Sequence, residues 1–283
     1  MTLLSVSRAP RMLRGPLFVL GVAMLSLVLA GTVRMLDPQP GPRAAPVAPV
    51  ELASQTAVDQ LQARLQRNPD DANAYAQLGL ALLQQVRLTN DLSLYGRAGK
   101  AFDEALARDP QQIDALIGRG ILAAALHDFR GALVWAGQAW TINPFRAETL
   151  GVMVDGQVEL GRYDEAVQTL QKMVDLRPDL NSYSRVSYVR ELYGDVDGAL
   201  AAMQAAVRTA PPGSEGWLWT LTHVGHLYMN RGDLTQAAAV YSQVLAARAD
   251  YPYALGGMAR VYADQGNTVQ AIALYEQIID RLP

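Results

Sequence analysis

The sequence predicts an all-α chain: an α-solenoid of about six helix-turn-helix repeats, preceded by a single apolar helix near the N-terminus. Three observations carry this. Paired amphipathic segments recur along the chain, most regularly in Ala147–Pro178, AETLGVMVDGQVELGRYDEAVQTLQKMVDLRP. Prolines close these pairs at Pro69, Pro110, Pro144, Pro178, Pro211 and Pro283, and the gaps from 110 to 144 and from 144 to 178 are both 34 residues. Lastly, the 19 residues Gly15–Val33, GPLFVLGVAMLSLVLAGTV, contain no charge.

The N-terminal elements follow from charge and hydropathy. Residues 1–14 form a basic segment with Arg8, Arg11 and Arg14 and no acid. Residues 15–34 are long enough for a transmembrane signal-anchor, since a bilayer core takes about 20 apolar residues as a helix. The preceding arginines favour a cytoplasmic N-terminus and place the rest of the chain outside the cytoplasm. The competing expectation is a secretory signal cleaved after Ala30, where Val28-x-Ala30 gives a small-residue site. Residues 35–56 form a Pro/Ala-rich linker, and DPQPGPRAAPVAPV within it carries five prolines, the composition of a semi-rigid extended spacer.

Residues 57–283 form the repeat array, with a lone capping helix over 57–70 and repeats over 72–110, 113–144, 147–178, 180–211, 218–249 and 252–283. In the third repeat, Leu150, Met153 and Gln157 share one helical stripe, and Ala166, Leu170, Met173 and Val174 share another. Gly161 suits a left-handed helix end between them, and Asp164 and Glu165 suit the first turn of the second helix. The first repeat is seven residues too long, the surplus falling in QQVRLTNDLSLYGRA, and PPGSEGW (Pro211–Trp217) adds residues before the fifth. Ala249 stands where the fifth repeat would carry its proline. Gly79, Gly120 and Gly225 are expected to let paired helices approach, and Tyr228 and Tyr262 to fill space between repeats. The last helix ends at Pro283 without a polar cap, so either further chain or a partner is expected there.

The residues that recur at this period resemble those of the tetratricopeptide repeat family: Tyr75, Leu78, Gly79, Ala98, Phe102 and Pro110 in the first unit, and Gly225, Tyr228, Gly232, Asp233, Ala237 and Tyr241 in the fifth. The resemblance implies a right-handed superhelix whose inner face binds protein or peptide partners. In that family the inner face is lined by set positions of each first helix. Carried onto this chain, they name a peptide-binding groove of Asp114, Glu148, Asp155, Glu159, Tyr188, Glu191, Trp219, His226, Tyr253 and Arg260, flanked by Asn73, Asn181, Ser184, Thr222, Asn230 and Asp264. Its middle is acidic, so the partner is expected to be an extended segment with basic or polar side chains, Trp219 and Tyr253 serving as anchors. The basic and asparagine clamp with which some members hold a chaperone's terminal carboxylate is missing at these positions. One stretch, LQARLQRNPDDANAYAQLGLAL, is also similar to the repeat subunit of the cytochrome c maturation haem lyase, a family that usually has two membrane helices where this chain has one candidate.

Composition narrows the chemistry. There is no cysteine, which removes disulfides, thiolate metal sites, lipid attachment at that residue and thiol nucleophiles. Residues 1–50 carry five arginines against Asp37, leaving 19 basic and 26 acidic residues, a balance of −7, for the rest. A folded part so acidic is a poor ligand for nucleic-acid backbone. His223 and His226 are three residues apart on one helix, but no further ligand pair joins them, so no metal and no cofactor is expected. Neither a nucleophile elbow nor a phosphate loop appears. The expectation is a membrane-tethered, non-catalytic scaffold at a bacterial envelope surface. The alternatives are an assembly factor like the haem-lyase subunit, or the regulatory part of a larger enzyme extending past residue 283.

Overall fold

The computed structural model describes residues 50–280, which contain thirteen α-helices. The basic segment, the anchor expected over 15–34 and the proline run lie outside the described residues. Among the described residues no helix is long and apolar enough to cross a membrane. These residues fall into two compact units, 50–176 and 177–280.

In the first unit, α1 (Val50–Arg67) packs on α2 (Ala72–Thr89), which pairs with α3 (Leu94–Arg108). The pairs α4 (Ile113–Ala125) with α5 (Phe129–Ile142) and α6 (Ala147–Glu159) with α7 (Tyr163–Leu176) follow. In each pair the first helix also touches the first helix of the next pair, α2 on α4 and α4 on α6. That position in the stack decides how each helix is patterned. Of the 13 residues of α4, eight are buried, whereas α5 buries only the stripe Ala132, Ala136 and Ala139. A helix covered on several sides needs apolar residues nearly all round, and one at the outside needs a single stripe.

The surplus in the first repeat goes mainly into helix: α2 has 18 residues where α4 and α6 have 13. Asn90 then turns with φ 56°, and Asp91 accepts from the Ser93 backbone N–H at 3.0 Å to start α3.

The second unit repeats the plan with α8 (Leu180–Leu192) and α9 (Val196–Thr209), α10 (Glu215–Asn230) and α11 (Leu234–Ala247), and α12 (Pro252–Asp264) and α13 (Thr268–Ile279). Its first helices again touch in series, α8 on α10 and α10 on α12. Its core gathers Leu218, Leu221, Tyr241, Val244, Tyr251, Ala254 and Val261.

Local chemistry fixes where helices start and stop. Acidic N-caps recur: Asp71, Asp128, Asp195 and Asp233 each accept from the backbone N–H three residues on, at 2.9 to 3.1 Å. Such a cap pairs one of the four donors a helix start leaves open. The turns inside five pairs share one geometry. Arg162 N–H reaches Gln157 C=O at 2.8 Å and Gly161 N–H reaches Val158 C=O at 2.9 Å, and the same two bonds recur at Asp128, Asp195, Asp233 and Asn267. The residue in the left-handed region is glycine at 161, 194, 232 and 266, and His127 (φ 61°) in the remaining case.

The glycines act differently from expectation at two places. Gly79 and Gly225 make room for an aromatic ring: a Cβ there would overlap Phe102 and Tyr241 respectively. Gly118 and Gly257, on the first helices of the next pairs, bound the same rings from the other side. Each ring therefore sits between consecutive first helices, and both residues are wholly buried. Tyr228 and Tyr262, expected to fill space between repeats, are half-buried and pack against the core of the second unit from outside the ring slot. Gly120 does serve close approach, with a Cβ there lying 3.4 Å from the Ala132 carbonyl oxygen on the partner helix.

Candidate functional site

The candidate residues lie on the first helices, α4, α6, α8, α10 and α12, and each unit is taken separately.

In residues 50–176, Asp114 and Glu148 occupy the first turns of α4 and α6. Arg146, just before α6, joins them: its Nη2 lies 2.7 Å from Asp114 Oδ1 and its Nε 3.1 Å from Glu148 Oε2. Two of the expected acidic residues are thus already compensated by a cation of the same chain. Asp155 is buried at 8% exposure, while Glu159 closes α6 and is exposed. Partial desolvation and the nearby Asp155 charge raise the Glu159 carboxyl above the usual range, and His127 opposes them. The acidic face expected from sequence is therefore neutralised at one end of α6, buried in its middle and open at the other end.

In residues 177–280, Glu191 on α8 accepts from Asn230 Nδ2 on α10 at 2.9 Å, tying two first helices together. Burial raises the Glu191 carboxyl and the Asn230 bond lowers it in part. Tyr188, one turn earlier on α8, is half-buried.

On α10, Trp219 is 7% exposed and its ring lies 3.8 Å from that of His223. Stacked and buried, it is core rather than an open anchor. Thr222 and Ser184 point inward as well, each bonding a carbonyl of its own helix, Thr222 to Leu218 at 2.7 Å and Ser184 to Asn181 at 3.2 Å. Tyr253, near the start of α12, is exposed, with its ring 5.5 Å from Tyr251.

The grouping that sequence reasoning missed centres on Tyr241. The His226 ring lies 5.7 Å from the Tyr241 ring and 5.2 Å from His223. Arg260 on α12 is exposed, and its charge acts on both His226 and Tyr241. Burial depresses His223 to about 4 and, with the neighbouring His223 ring and the Arg260 charge adding to it, His226 to about 3. Both rings are therefore neutral at ordinary pH. Burial also pushes the Tyr241 phenol up. Tyr241 belongs to a second helix, so a search restricted to first-helix positions passes over it.

A second unforeseen network ends the same unit: Arg248 Nη1 lies 2.6 Å from Glu215, which accepts at 2.9 Å from the buried Tyr251 hydroxyl. Arg185, wholly buried on α8, donates to the Asn181 carbonyl at 3.0 Å. Among the described residues no group of three or more His, Cys, Asp or Glu is arranged to hold a metal ion.

Comparison with known proteins agrees with this architecture. Residues 153–215 and residues 228–283 each match a tetratricopeptide repeat model. Human tetratricopeptide repeat protein 13 is 25% identical over 163 residues, 56% of this chain and 18% of that protein. The APC/C hetero-tetramer Cut9–Hcn1 shares the fold with a TM-score of 0.64 at 18% identity, covering 81% of this chain and 43% of the other. A tetratricopeptide repeat protein from Parabacteroides merdae ATCC 43184 gives 0.60 at 16% identity, covering 82% and 88%. This chain spans under a fifth of the human relative and under half of the Cut9–Hcn1 chain. It carries tetratricopeptide repeats, an architecture that fits a role in protein interaction.

Proposed function

We propose that the chain is a non-catalytic scaffold that binds extended protein segments along its first helices, tethered to a membrane through residues 15–34 with the repeats outside the cytoplasm. The observation that carries the binding reading is the face of α8, α10 and α12. There Glu191 and Asn230 are hydrogen-bonded, the Arg260 charge acts on His226, and Tyr253 is exposed near the start of α12, so these helices carry polar, charged and aromatic groups outside the apolar core. The exposed Glu159 favours segments that carry basic or polar side chains, while the half-buried Glu191 already accepts from Asn230 and Asp114 and Glu148 are held by Arg146. The tether rests on the uncharged run behind an arginine-rich start.

A photo-crosslinking residue in place of Tyr253, on the candidate face, tests the binding reading against the same residue in place of the exposed Thr235 on α11. Membranes bearing the first variant are expected to yield discrete crosslinked species and those bearing the second none. Equal patterns from both would sink the binding reading. Alkaline extraction tests the tether: the intact chain should stay in the pellet, and a chain lacking residues 15–34 should not. A mature protein beginning at Gly31 would replace the tether with a cleaved signal.

A further inference from the structure

Phe102 and Tyr241 hold the same place in two different repeats. Phe102 lies between Gly79 and Gly118, Tyr241 between Gly225 and Gly257, and each ring is wholly buried. Packing in this slot asks for a ring, and phenylalanine satisfies it. The Tyr241 hydroxyl is therefore surplus to packing, and it is buried without a hydrogen-bond partner. Native proteins rarely leave a buried polar atom unpaired without a use for it.

The groups beside it are complementary to one kind of ligand. His223 Nδ1 lies 2.9 Å from the Trp219 carbonyl oxygen. A carbonyl can only accept, so Nδ1 carries the proton and Nε2 is left as an acceptor. The His226 ring neighbours both that ring and Tyr241. A phenolic donor and an imidazole acceptor thus lie in one neighbourhood, with Arg260 at its edge.

We propose that Tyr241, His223 and His226 form a specificity subsite that takes the carboxamide side chain of an asparagine or glutamine from a bound peptide. The proposal rests on the peptide-binding reading above. A carboxamide is neutral and presents both an acceptor and a donor: its oxygen accepts from the Tyr241 hydroxyl, and its NH2 donates to imidazole nitrogen. A carboxylate has no proton for the imidazole. An ammonium group has nothing with which to accept from the phenol, and it meets the Arg260 charge. An alkyl side chain leaves both polar groups unpaired. A neutral occupant also suits a place whose burial keeps its own imidazoles uncharged.

The test uses the full-length chain and an array of short peptides whose central residue is Asn, Gln, Asp, Lys or Leu in otherwise matched sequences. The native chain should favour Asn and Gln by roughly tenfold over Asp and Leu, the low end of the cost of leaving a buried polar group unpaired. Tyr241→Phe should erase that preference while the melting temperature holds or rises, since Phe102 demonstrates that the slot accepts phenylalanine. Peptide binding with no Asn or Gln preference, or with a preference that Tyr241→Phe leaves intact, overturns the subsite alone; a buried water then accounts for the hydroxyl. No binding to any peptide overturns the subsite and the peptide-binding reading together.

Discussion

Arg146 Nη2 lies 2.7 Å from Asp114 Oδ1, a contact between residues 32 positions apart that joins the entrances of two successive first helices. The same guanidinium holds Glu148, so its removal takes a shared cation away from two partly buried carboxylates. Arg146→Met is expected to cost about 1–2 kcal/mol of stability, more than a fully exposed ion pair and less than a wholly buried one. The loss should shrink at high salt, where screening weakens the attraction that the half-exposed pair contributes. Urea unfolding at low and high salt measures both; a variant as stable as the parent at low salt would show that the bridge contributes nothing.

Glycine-to-alanine changes should divide by what a Cβ meets. Gly137, inside α5, faces nothing within 4 Å, so Gly137→Ala should stabilise by about 0.5–1 kcal/mol through reduced freedom of the unfolded chain. Gly257→Ala sets a methyl against a Tyr241 ring that has nowhere to go, and overpacking of this kind costs about 1–3 kcal/mol. Thermal melts of the two variants should move in opposite directions.

His127 occupies the left-handed turn position that glycine fills at 161, 194, 232 and 266. An L residue there is strained by about 1 kcal/mol. His127→Gly should recover most of that, less the edge-on contact its ring makes with Phe129 at 5.6 Å. A lower urea midpoint for the variant would mean the ring contact outweighs the backbone strain.

Acid should destabilise the second unit through its histidines. In the unfolded chain an imidazole titrates near 6.5, whereas burial holds His223 at about 4 and His226 at about 3 in the fold. Above pH 6.5 neither state is protonated on these rings and the stability is fully present. As the pH falls below that, the unfolded chain takes up protons that the folded chain refuses, so stability declines until the folded values are reached. By pH 5 the loss is about 2 kcal/mol per ring. The double variant His223→Gln, His226→Gln should show a flatter fall in urea midpoint between pH 7 and pH 5, and an unchanged slope would rule this cause out.

The repeat plan was legible because backbone chemistry writes itself at fixed spacing. Gly161 and Asp164 mark a turn and a helix start in the sequence, and the turn and first helical residues stand there in the structure. Side-chain partnerships across repeats were not legible. Nothing local distinguishes Arg146 as the partner of Asp114, because the pairing depends on which helix ends meet after stacking. Trp219 sits at a position that faces the ligand in related repeats, yet its stacking on His223 makes it core here. Tyr241 carried no signal beyond an aromatic at a core position; only the unpaired hydroxyl sets it apart from Phe102.

The residue closing three of the second helices has a further consequence, whereas Ala210 after α9 (φ −92°, ψ 138°) and Asp280 after α13 (φ −61°, ψ −12°) differ. Asp109 (φ −137°, ψ 97°), Asn143 (φ −146°, ψ 101°) and Arg248 (φ −145°, ψ 98°) adopt nearly one conformation, although proline follows only the first two. Matching backbone at these points makes them equivalent junctions for cutting and rejoining the chain. A duplication or excision that runs from one junction to another restores the same local geometry, whereas one out of phase shifts every cap and ring slot downstream. The two insertions obey this rule differently: the surplus of the first repeat is taken up mainly within α2, and part of that at Pro211–Trp217 lies between α9 and α10, so each is spent before the next helix pair begins.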